Sequence, residues 1–115
     1  MKNLDLLQEK LEISQEEMPE YEDVVRNVKT IIDQNQIHFK ENPEIAFYAH
    51  IINFARRLKE NENLTMTFEE YRKEINQDIY QMADQIVRQI CDRYESEMDP
   101  SEVILVAIHI QATLV

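Results

Sequence analysis

The sequence predicts an all-α bundle of about five helices, and three observations lead there. Apolar residues recur at three- and four-residue spacing along most of the 115 residues. Several of these segments open with cap and proline combinations that start helices. Glycine is absent, where average usage of ~7% would supply several. Without glycine the tight hairpin turns that need positive φ are hard to build, which argues against an all-β fold. Hydrophobic residues make up 43% of the chain, enough for a core, so residues 1–115 are read as one folded domain.

Leu4, Leu7 and Leu11 fall at helical spacing and mark a short first helix. Ser14-Gln15-Glu16-Glu17 has the form of a capping box, while Pro19 suits a start nearer itself. From there Tyr21, Val24, Val28, Ile31 and Ile32 mark one face of a second helix. It is expected to end near Asn35, a residue able to take the left-handed cap conformation. Asn42-Pro43 reads as the cap and first position of a third helix. Its stripe of Phe47, Ile51, Phe54 and Leu58, widened by Ile45, Tyr48, Ile52 and Ala55, predicts deep burial.

The run Lys59 to Asn63 reads as a loop, and Thr67-Phe68-Glu69-Glu70 as a second capping box. Phe68, Tyr71, Ile75, Ile79, Met82, Ile86 and Ile90 then keep helical spacing, with a break expected at Asn76-Gln77-Asp78, which are poor helix formers. The last segment, Val103 to Ile108, is continuous and β-branched enough for a strand. Asp99-Pro100-Ser101-Glu102 supplies a cap, a first-position proline and a third-position acid, and a strand would have no partner. A helix buried nearly all round is expected.

Charge and composition exclude several function classes. Lys and Arg number 12 against 23 Asp and Glu, a formal charge of −11. The basic residues form no stripe of the kind that neutralises phosphate backbones, so direct nucleic-acid binding and anionic membranes are disfavoured. Absence of glycine removes the phosphate-cradling loop, the dinucleotide fingerprint and the nucleophile elbow. No Cys or His pair has zinc-ligand spacing, and no cofactor is expected. The single cysteine, Cys91, lies among Val87, Ile90 and Tyr94 and reads as a small buried thiol. Met1-Lys2-Asn3 leads into leucines interrupted by Asp5, Gln8 and Glu9, unlike a secretory signal, so a cytoplasmic chain is expected.

The histidines carry what chemistry the sequence offers. His38 stands beside Lys40 and Glu41 in a polar connection. His50 and His109 instead sit in apolar helices, where each is either a satisfied core histidine or a functional one. Arg57 follows His50 by two turns at almost the same azimuth, which puts a guanidinium on the histidine's side of the helix. Such a group pairs with an anion held at the imidazole.

Two blocks resemble a known family. Ala49-His50-Ile51-Ile52-Asn53-Phe54-Ala55-Arg56-Arg57-Leu58 resembles the first conserved block of the PTS regulation domain: His, then Ile, then Phe-Ala, with Arg seven residues on. Asp99 to Ile110 resembles its second block, an acidic capping stretch leading through an apolar run to His-Ile. The resemblance implies a five-helix, usually dimeric domain of bacterial regulators of sugar use. It implies phosphorylation at His50 and His109 by phosphocarrier proteins of the sugar phosphotransferase system, with Arg57 contacting the phosphoryl group. No output module accompanies the two blocks, so a stand-alone switch is expected, acting through a regulatory protein partner and without turnover of its own. The family usually has Asp immediately before the first histidine; this chain has Ala49. The alternatives are a structural adaptor whose histidines belong to the core and, last, a small helical enzyme, which would need convergent polar groups in a pocket.

Overall fold

A computed structural model describes residues 3–62 and 68–113. Among them are five α-helices, α1 (Leu4–Lys10), α2 (Met18–Gln34), α3 (Glu41–Lys59), α4 (Gln77–Arg93) and α5 (Pro100–Ala112), with a 3-10 helix at Glu69–Glu74 and no strand. The expected all-α bundle is what the chain forms. The core is one cluster in which Leu7, Tyr21, Val28, Phe47, Ile51, Ile52, Phe54, Ile86 and Ile110 are almost wholly enclosed. Each aliphatic or phenylalanine side chain among them contributes about 1.5–3 kcal/mol by leaving water. α5 packs mainly against α4 and also against α3, and α2 packs against both α3 and α4.

The boundaries show which local chemistry won. Ser14 Oγ accepts from Glu17 N at 3.2 Å and donates to Glu17 Oε1 at 3.0 Å, closing a turn that runs into α2 at Met18, with Pro19 in the first turn. At the far end Asn35 keeps a negative φ (−96°), and its side-chain amide donates to Ile31 O at 2.7 Å. The left-handed position falls instead on Gln36 (φ 59°). α3 begins at Glu41, ahead of the expected Asn42 cap, and Asn42 makes no capping bond. Pro43 still fits, since the first-turn N–H groups have no intrahelical acceptor to lose.

The expected break is present. Ile75 is extended (ψ 130°), and Asn76 opens α4 by accepting from Asp78 N at 2.8 Å. Upstream the stripe runs on a 3-10 helix, whose eclipsed side chains leave Tyr71 exposed. Thr67 of the second expected capping box lies outside the described residues. Gln111 on α5 ties this junction down, donating to Glu74 O and accepting from Asn76 N, both at 2.9 Å.

α5 begins as expected, with Asp99 accepting from Ser101 N at 2.9 Å and Pro100 first in the helix. It is not buried all round. Leu105 and Ile108 are half-buried and line a shallow apolar groove with Phe68, Tyr71 and Ile75. Cys91 is buried, as expected, with burial and then nearby carboxylates pushing its thiol up to about 11.

Four helices end in the same glycine-free way. Glu12, Gln36, Asn61 and Glu95 follow α1 to α4 at φ between 52° and 59°. Each is bracketed by a pair of closing bonds, such as Ser96 N to Cys91 O at 2.9 Å around Glu95. This is the Schellman arrangement, built here with side chains that cost about 1–2 kcal/mol in the left-handed region.

Candidate functional site

The seven-residue interval from His50 to Arg57 is two helical turns, so both side chains leave α3 on one stripe. Glu102 and His109 are separated by the same interval on α5. The two helices bring these pairs together in reverse order, Arg57 against Glu102 and His50 against His109. Arg57 lies in the last turn of α3 and Glu102 in the first turn of α5. Each charge therefore sits at the helix end whose dipole favours it.

Glu102 is the centre of the arrangement. It is 1% exposed, one of two buried polar residues among those described. Oε1 accepts from Arg57 Nη2. Oε2 lies 3.3 Å from Nε2 of His50, and both atoms are buried without an aligned hydrogen-bond partner. A carboxylate taken this far from water needs a countercharge, and Arg57 supplies it. The cap sequence Asp99-Pro100-Ser101-Glu102 predicts only a capping role for Glu102. Its N-cap neighbour Asp99 does that work, and the Glu102 side chain turns inward.

The imidazoles of His50 and His109 stack, with ring centroids 4.9 Å apart and planes 25° from parallel. Phe47 stands edge-on to His109 at 6.5 Å. Burial, and secondarily the neighbouring charge of His50, hold the His109 pKa below the ordinary histidine value. A neutral ring keeps the lone pair that a nucleophile needs. The His50 side chain is 15% exposed and that of Arg57 24%, so the site opens to solvent on one side. Two histidines distant in sequence thus meet. Arg57 is on their side of α3, as its spacing predicts, and its guanidinium is engaged by Glu102. His38 is exposed in the α2–α3 connection.

Glu102 is the residue that sequence reasoning missed. The available signal was the second seven-residue interval, Glu102 to His109, mirroring His50 to Arg57. No group of three or more His, Cys, Asp or Glu among the described residues is placed to hold a metal ion.

The model of the PRD domain family matches residues 25–113, from within α2 through α5, and so includes all four site residues. The chain belongs to the PRD family. PRD domains are regulatory domains linked to the sugar phosphotransferase system, the family that the two sequence blocks resemble. This PRD chain is similar to Protein GlcT of Staphylococcus haemolyticus (strain JCSC1435), with 26% identity over 87 residues. That alignment covers 76% of the chain and 31% of GlcT, so the chain spans about a third of the relative's length. No solved structure matches it.

Proposed function

We propose that residues 1–115 form a phosphorylatable regulatory unit of transcription control linked to the sugar phosphotransferase system. In this reading His50 and His109 accept a phosphoryl group from phosphocarrier proteins, and the chain acts as a cytoplasmic homodimer through a regulatory protein partner. The observation that carries it is the stacked imidazole pair beside an ion pair between the buried Glu102 and the partly exposed Arg57, at the edge of solvent. A neutral ring nitrogen attacks the donor phosphorus, and the product carries roughly two added negative charges. Arg57, partly exposed, then has two competing anions, Glu102 and the phosphoryl group. Transfer of the guanidinium from one to the other changes the packing of α3 on α5, and dimerisation or partner binding reads that change.

The charge of −11 supports action through protein rather than by gripping nucleic acid. No helix among the described residues is long and apolar enough to cross a membrane. The test is incubation with purified phosphotransferase enzymes and phosphoenolpyruvate, read by mass spectrometry under conditions that preserve phosphohistidine. Label at His50 or His109, lost in the corresponding His→Gln variant, is expected; absence of label at both overturns the proposal. A second reading, a non-signalling adaptor, is favoured by Ala49 in the place where the family usually has Asp. It requires that neither histidine be labelled.

A further inference from the structure

The distance between the two rings limits how many phosphoryl groups the site can hold. With centroids 4.9 Å apart, two phosphoryl groups pointing away from each other would still lie within about one Debye length (~8 Å at physiological ionic strength). Each would bring roughly two negative charges, into a site that already contains the Glu102 carboxylate. Arg57 is the guanidinium engaged there, and one such group cannot neutralise two phosphoryl groups and a carboxylate. The neighbouring Arg56 is committed elsewhere, donating to Leu11 O at 3.0 Å, and Lys59 pairs with Glu20 at 3.0 Å.

We infer that His50 and His109 are alternative positions of a single phosphate slot, so that the folded chain carries one phosphoryl group at a time. The inference rests on the phosphoacceptor reading and adds its stoichiometry. In each transfer the bond from the donor nitrogen to phosphorus breaks, and its electron pair returns to the donor. The lone pair of one ring nitrogen of His50 or His109 forms the new N–P bond, while the proton on the opposite ring nitrogen stays in place. At the intermediate dielectric of a partly buried site, charge repulsion makes a second transfer about a hundredfold or more less favourable than the first. Direct passage between the two rings is also blocked. Lone pairs lie in the ring planes, and stacked planes 25° from parallel do not aim one nitrogen at a phosphorus on the other. Two upstream signals arriving at different histidines would therefore write the same mark.

The test uses the full chain carrying His38→Gln, since His38 is exposed, and two donors: the phosphocarrier system, and phosphoramidate, a small molecule that needs no protein recognition. Intact-mass spectrometry without acid counts phosphoryl groups, and peptide mapping places them. Folded protein saturated with phosphoramidate is expected to stop at one group per chain, while chain unfolded in urea takes two. Adding His50→Gln or His109→Gln is expected to leave one group on the remaining histidine. Doubly phosphorylated folded chains, or a remaining histidine that takes none, would overturn the single slot. Labelling by phosphoramidate alone, again stopping at one, supports the slot while removing the phosphocarrier system as its source.

Discussion

Removing Arg57 probes the centre of the site. In Arg57→Ala the Glu102 carboxylate, 1% exposed, keeps its burial and loses its countercharge. Breaking a fully buried ion pair from one side costs about 3–5 kcal/mol. The Arg57 side chain is 24% exposed, so water reaches part of the vacated space, and the N-terminal dipole of α5 offsets up to about 1 kcal/mol. The expected loss is therefore about 2–3 kcal/mol. Urea denaturation at neutral pH measures it as a midpoint lowered by roughly 1–2 M at unchanged slope. Adding Glu102→Gln to Arg57→Ala removes the orphaned charge and should restore more than half of the loss. A single-variant loss below about 0.5 kcal/mol, the range of exposed pairs, would refute the reasoning, as would a double variant no more stable than Arg57→Ala.

Three further outcomes are expected. Glu95→Gly relieves a left-handed residue (φ 52°) at a cost of about 1–2 kcal/mol in L-residues, less about 0.4–1 kcal/mol of added unfolded-state entropy. A gain of up to about 1.6 kcal/mol in calorimetry is expected, with Glu95→Ala near neutral. Followed by NMR, His109 should titrate below about 6.5, through burial first and the charge of His50 second. His50→Gln, which removes the second cause, should raise its midpoint. Because the folded value is depressed, the stability tied to His109 is complete above about 6.5 and is lost as pH falls through the folded value. Tyr94→Phe removes the 2.5 Å bond to Glu20 Oε2. Burial raises the Glu20 pKa, but bonds from Tyr94 and Lys59 outweigh it and hold the carboxyl below its usual value. The variant should lose about 1–2 kcal/mol near neutral pH. Chemical denaturation across pH should find the difference fading as acid protonates Glu20 in both proteins, since stability from a depressed carboxyl is present above its ordinary pKa and lost below.

Much of the fold was legible because periodicity and punctuation agreed. The break at Asn76-Gln77-Asp78, the Asp99-Pro100 start of α5 and the buried faces of α2 to α4 all follow from local chemistry. Boundaries that depended on competition between neighbours were not. Asn35 has the residue type for a left-handed cap, but its amide found the Ile31 carbonyl, and Gln36 took the strained position. The site was half legible. His50, Arg57 and His109 stand out as polar groups in or beside apolar stretches, whereas Glu102 sits in a cap sequence that explains an acid without invoking burial. Only packing α5 on α3 separates a capping glutamate from one that anchors a guanidinium.

The matching intervals on α3 and α5 behave like two notches cut at equal pitch on facing rods. Sliding α5 lengthwise by one turn, about 5.4 Å, would unseat Glu102 from Arg57 and His109 from His50 in the same movement. It would also leave a lone carboxylate facing hydrocarbon. Partial slippage gains neither contact, so this interface has one engaged alignment, and whatever disengages one notch disengages the other.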